Sequence, residues 1–195
     1  SGQNGLQFAD FNNDGWQDLI VATMGGGGVA PNRDMLYINR GVDTEGEWLG
    51  YELVSYDIGF GGSESSDMGV AVADIDNDGD LDYFTTILPD NHPLWINNLT
   101  DTGTLGFTQT TVTNTFSWGA NFHDFDNNGR VDLLVGTEVD RRSFLHMQEW
   151  NGIFNEQAVA AGLTSTYSTR GVATADFDRD GWSEAALWAW NGNNP

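Results

Sequence analysis

The chain has 195 residues and a formal net charge of −22, from 29 acidic residues against seven arginines and no lysine. A field of that sign repels nucleic acid and anionic membrane surfaces, which excludes both as partners. With 39% hydrophobic and 12% aromatic residues the chain can bury a core, no cysteine is present to form a disulfide, and no apolar run is long enough for membrane insertion. It begins at Ser1 with no initiator Met and no signal pattern, and so reads as a cut piece of something longer.

Four fifteen-residue segments align without a gap: LQFADFNNDGWQDLI (6–20), VAVADIDNDGDLDYF (70–84), ANFHDFDNNGRVDLL (120–134) and VATADFDRDGWSEAA (172–186). Their first acids, Asp10, Asp74, Asp124 and Asp176, lie 64, 50 and 52 residues apart, the period of a four-stranded propeller blade. In the first unit (1–64) the loop is followed by the β-rich run DLIVAT, a third strand at Leu36–Asn39 and a fourth within 47–57. Four consecutive glycines at 25–28 open an insert that reads as a lengthened loop tip; no Gly-Lys-Ser/Thr follows to make a phosphate cradle. The second unit (65–114) repeats the order with DYFTTI, Leu94–Asn97 and a fourth strand at 107–114. The third (115–166) has DLLVGT, a weaker third strand at Phe144–His146 and a fourth at 153–160, and the last (167–195) is incomplete. The expected fold is all-β, a partial propeller of about three and a half blades, whose ring needs further blades or a partner chain to close.

Each loop has the pattern by which a tight turn presents oxygens to a hard cation: acids or amides at alternate positions, and glycine at position six where the chain must turn. The side-chain ligands expected are Asp10, Asn12, Asp14 and Asp18 in the first loop, and Asp74, Asp76, Asp78 and Asp82 in the second. In the third they are Asp124, Asp126, Asn128 and Asp132, and in the fourth Asp176, Asp178, Asp180 and Glu184. Position seven, occupied by Trp16, Asp80, Arg130 and Trp182, contributes its backbone carbonyl. The ion expected is Ca²⁺, up to four per chain, since Mg²⁺ prefers fewer protein ligands and retained water. Asparagine makes the first and third sites the weaker. An EF-hand is excluded, because position twelve is Val21, Thr85, Val135 or Leu187 instead of Glu and the flanks read as strands.

The repeated pattern Val-Ala-x-Ala-Asp-[Phe/Ile]-Asp-x-Asp-Gly-x-x-Asp resembles the FG-GAP or VCBS repeat of integrin-alpha-like propellers, over essentially the whole chain. RGVATADFDRDGWSE (170–184) is similar to units of bacterial secreted propellers often joined to an ASPIC/UnbV domain. The resemblance implies a seven- or eight-bladed ring, calcium in the turn between the first two strands of several blades, and an extracellular, cell-surface or periplasmic location. Asn12, Asn128, Glu184 and His123 depart from the pattern.

Outside the loops the signals are weaker. Trp95 takes the place of Tyr37 in the third strand and reads as packing; Trp16 and Trp182 are free to cover a neighbouring blade, while Trp118, Trp188 and Trp190 stand near strand ends as ligand-binding candidates. His92, His123 and His146 occupy unrelated positions with no zinc spacing or paired nucleophile, and Asn98-Leu99-Thr100 is a formal glycosylation acceptor. The function expected is a non-enzymatic binding or adhesion module for protein or glycan. Two alternatives are an accessory or scaffold domain of an extracellular polysaccharide-acting enzyme, with Glu138, Asp140, Arg141 and Arg142 as its loosely suggestive group, and a structural unit of a larger assembly.

Overall fold

Apolar runs on both sides of each Asp-rich loop pair with one another from the loop outward, so every loop is the tip of an antiparallel hairpin. The computed structural model describes residues 2–24, 34–55, 57–58, 60, 66–88, 92–113, 117–137, 143–163 and 168–190. The 25–30 insert and the group at 138–142 lie outside them.

The first sheet runs β1 (Gly2–Ala9), β2 (Asp18–Met24), β3 (Met35–Asn39), β4 (Tyr51–Leu53). The second runs β5 (Ser66–Ala73), β6 (Asp82–Leu88), β7 (His92–Asn97), β8 (Phe107–Thr113), with the one-turn helix α1 (Leu99–Thr102) between its last two strands. The third runs β9 (Ser117–His123), β10 (Asp132–Thr137), β11 (Phe144–Gln148), β12 (Phe154–Glu156). The fourth has two described strands, β13 (Ser168–Ala175) and β14 (Glu184–Trp190). These are blades of a partial β-propeller whose sheets do not close into a ring. The outer strands β4 and β12 are only three residues long, shorter than the runs at 47–57 and 153–160; Gln157–Gly162 turns instead of extending. Short outer strands limit the unpaired backbone at a blade's edge.

Blades meet through their first strands, since β1, β5, β9 and β13 pack in succession. What permits this is a glycine five residues ahead of each loop: Gly5, Gly69, Gly119 and Gly171. A Cβ on Gly69 would sit 2.5 Å from the Trp118 carbonyl oxygen of the next blade, and one on Gly119 would sit 3.2 Å from that of Arg170. Next to each glycine the strand bulges, leaving Asn4, Met68, Trp118 and Arg170 as the extra residues. Across the third interface the bulged residues stack, with the Arg170 guanidinium 4.5 Å from the centre of the Trp118 ring. Trp118, half-buried there, is packing.

The hydrophobic cores lie between blades. Phe11, Ile20 and Leu36 meet Tyr83, Trp95 and Phe60 at the first interface, so Trp95 is a core residue as its repeat position implies. Ile75, Phe84 and Leu94 meet Phe122, Leu133 and Val135 at the second, and Leu134, Leu145 and Ala158 meet Val172, Ala185 and Leu187 at the third. At the two ends the same repeat positions are bare: Phe177 is 62% exposed where its equivalent Phe11 is fully buried, and Phe8 is 52% exposed where Phe122 is 8%. Neighbouring blades, not residue type, set the burial.

Gly69→Ala is expected to cost about 2 kcal/mol, because the methyl group meets backbone that cannot swing aside. Gly106→Ala, with no atom closer than 3.9 Å, is expected to be nearly neutral. Urea denaturation of the two variants measures the difference.

Candidate metal centres

The four loops share one backbone path. Position six is glycine with φ between 83° and 95°, and position four is also left-handed: Asn13, Asn77, Asn127 and Arg179 have φ of 56°, 61°, 56° and 66°. Asparagine tolerates that region better than most residues, which explains its recurrence there. Two consecutive backbone N–H groups, from positions five and six, then point inward and donate to the first carboxylate. Asp78 and Gly79 donate to Asp74 at 3.1 and 3.0 Å, and the same pair of bonds recurs at Asp10, Asp124 and Asp176. Position five accepts from the N–H of position seven at 2.8 Å in every loop.

Position nine does most of the positioning. Asp18, Asp82 and Asp132 are fully buried. In each, one carboxylate oxygen accepts from the N–H of position two and the other from the N–H that ends the blade's third strand. For Asp82 these are Ile75 at 2.7 Å and Asn97 at 2.8 Å; for Asp18, Phe11 and Asn39; for Asp132, Phe125 and Gln148. Glu184 makes the position-two bond, accepting from Phe177 at 2.7 Å. Its extra methylene leaves the pattern intact.

The result is acidic crowding without an opposite charge among the groups acting on it. Carboxylate oxygens of Asp74, Asp76 and Asp82 lie within 4.8 Å of one another, as do those of Asp124, Asp126 and Asp132 and those of Asp176, Asp178 and Glu184. Such oxygen triads are the donor set a hard divalent cation takes. Positions one, three and nine are thus brought together, whereas the acids at position five, Asp78 and Asp180, stand outside the triads. In the first loop Asn12 replaces the acid at position three; its amide donates to Asp14 at 2.9 Å. Burial pushes the Asp82 carboxyl up to about 7; its two backbone bonds pull it down, and the charges of Asp76 and Asp78 add to the rise. Asp18 and Asp132 are raised for the same first reason, and Asp76 by burial and then by Asp78.

Position seven braces its own blade through its side chain. Its side chain holds the connection between third and fourth strands of its own blade. Trp16 covers Gly41, whose added Cβ would sit 2.7 Å from the indole nitrogen, so it lies on its own blade and not on a neighbour. The buried Asp80 carboxylate accepts from the Thr100 N–H and hydroxyl, and the Arg130 guanidinium stacks 4.6 Å from the centre of the Trp150 ring. Trp182 is 52% exposed on the two-stranded fourth sheet.

Bonds between blades fix the loops relative to one another. The Asn13 amide donates to Asp80 at 2.8 Å and to the Gly79 carbonyl at 3.3 Å, and the Asn127 amide donates to the Gly181 carbonyl at 3.1 Å. The residue ending each third strand also reaches back one blade: Asn97 to the Phe11 carbonyl at 2.9 Å, Gln148 to that of Ile75 at 3.0 Å. Exposed aromatics collect at this end: Trp48 is 59% and Trp150 84% exposed, neither marked by the repeat. Trp188, 63% exposed, lies on the open face of the fourth blade, and the side chain of Trp190 is outside the described residues.

Asp82→Ala strips acceptors from two buried N–H groups and is expected to cost about 3 kcal/mol even in EDTA. Asp76→Asn, which keeps an oxygen and loses a charge, is expected to stay within about 0.5 kcal/mol in EDTA and to lose its loop's share of any calcium stabilisation. Urea titrations with EDTA and with Ca²⁺ separate the two effects.

No curated protein matches the chain. The family model of the FG-GAP-like repeat matches residues 10–85 and 124–187, taking in all four loops and more than half of the sequence. The chain belongs to the FG-GAP-like repeat family.

Proposed function

We propose that the chain is a calcium-stabilised, non-enzymatic binding module of an extracellular, cell-surface or periplasmic protein, with a protein or glycan as its ligand. The observation that carries the calcium reading is the recurrence of a triad of acidic oxygens within 4.8 Å in three loops of one family repeat. Bringing three carboxylates so close costs Coulombic energy that a bound cation reverses. Ca²⁺ fits better than Mg²⁺ because the loop supplies many protein oxygens, whereas Mg²⁺ prefers fewer protein ligands and keeps several waters. Extracellular modules work with Kd on the order of 10⁻⁴ to 10⁻³ M, where ambient calcium suffices.

The binding role rests on the rim. Buried Asp18, Asp82 and Asp132 bond the last residues of β3, β7 and β11, so the turns that follow stand beside the metal loops. Trp48 and Trp150 occupy two of these turns. Around Trp150 the side chains of Glu149, Asn151, Ile153 and Asn155 line a shallow groove. An open indole face beside amides and a carboxylate offers both stacking and hydrogen bonding to a partner. The bare positions at Phe8 and Phe177 support a ring completed by further blades or by a partner chain.

Calcium is expected to raise the melting temperature and EDTA to lower it, by an amount equivalent to about 2.7 kcal/mol per site at a hundredfold excess over Kd. A melting curve indifferent to both defeats the calcium reading.

A further inference from the structure

The interface between the first two blades buries a pair of carboxyl groups far from the metal loops. Asp34, just ahead of β3, and Asp67, on β5, are each 1% exposed, and their side chains stand close enough to act on one another as hydrogen-bond partners. A carboxylate only accepts, so a hydrogen bond between two carboxyl groups requires one of them to carry a proton. The remaining bonds say which. Asp34 accepts from the Thr23 N–H at 3.1 Å and from the Tyr83 hydroxyl, the pattern of an ionised acceptor. We propose that a proton clasps the first two blades: Asp67 is a neutral acid donating to the Asp34 carboxylate, and its ionisation loosens this interface.

The third blade interface shows that the position can clasp. Tyr37, Trp95 and His146 are equivalent by strand register, which makes Asp34, His92 and Ser143 equivalent three or so residues earlier. Asp67, Ser117 and Thr169 are likewise equivalent, each two residues ahead of a first-strand glycine. All six are buried. At the third interface the clasp is neutral, with the Ser143 hydroxyl donating to the Thr169 hydroxyl at 3.1 Å. Among the described residues the first interface is the one that places two acids at these positions; at the second they are His92 and Ser117.

The groups facing the pair come from β2 (the Thr23 N–H), from β5 (Asp67 itself) and from β6 (Tyr83 and Thr85). Among the described residues no arginine or histidine acts on either carboxyl. Burial first, and then the Asp34 charge, raise Asp67 from 3.8 to about 9, while burial keeps the Tyr83 hydroxyl protonated. Since the folded value lies above the unfolded one, the contribution to stability is complete in acid and falls as the pH rises towards 9.

The test compares melting temperatures of wild type, Asp67→Asn and the double variant Asp34→Ser with Asp67→Thr, in saturating calcium from about pH 5 to about pH 9. Asparagine keeps a donor towards Asp34 at every pH; the double variant copies the neutral pair of the third interface. Each variant is expected to gain on wild type as the pH rises. A difference that stays constant with pH overturns the proposal. The infrared difference spectrum of wild type minus either folded variant at neutral pH is expected to show the carbonyl band of a neutral carboxylic acid. If neither variant folds, a carboxyl-carbon NMR titration of wild-type aspartates in calcium decides: one buried aspartate still neutral at pH 7 supports the clasp, and none overturns it.

Discussion

The loop end of the first three blades depends on one carboxylate in each, the buried acid at position nine. It takes one N–H from the loop and one from the end of the third strand, so a single side chain closes the turn and holds the hairpin against its neighbour. Two charge-assisted bonds from backbone donors make such a group hard to replace by anything apolar. They also leave it beside the acids at positions one and three, aimed at one point. The bonds that shape the loop use the backbone donors, and the crowded oxygens that remain could hold a cation.

Between blades the constraint is close approach. The first strands meet backbone to backbone at glycines, and the space beyond is filled by aromatic and branched side chains from both partners. A blade is thus incomplete alone, since half of each core belongs to the next. Hydrogen bonds follow the same rule: Asn13, Asn97, Asn127 and Gln148 each reach a carbonyl of an adjacent blade. The buried clasp in front of the third strand is a third such layer, polar and changed from interface to interface.

The all-β partial propeller, the hairpin at each loop and the crowding of acids there are legible because they repeat in register, and a repeat converts weak local patterns into one strong one. Strand flanks sufficed to exclude the EF-hand. The first-strand glycine also repeats, one position before each aligned segment begins, and was missed because its reason lies in another blade's backbone. Position seven defeated the reading differently: Trp16, Asp80 and Arg130 share no chemistry, yet each braces the same turn with whatever contact its side chain allows. Trp118, a ligand-binding candidate by its place near a strand end, packs at an interface, whereas Trp150, stacked on one side by Arg130 and otherwise exposed, stands on a turn that no repeat marks. The pairing of Asp34 with Asp67 is invisible in sequence, since the two acids occupy different repeat positions in different blades.

The central claim is that the acidic triads are cation sites built on hydrogen bonds the chain makes by itself. A crystal structure grown with calcium, with an anomalous difference map, tests it most directly. A peak is expected within each triad, with carboxylate oxygens at about 2.3–2.6 Å and the position-nine bonds unchanged. Triads filled only by water at saturating calcium, or loops that rearrange to bind it, would contradict it.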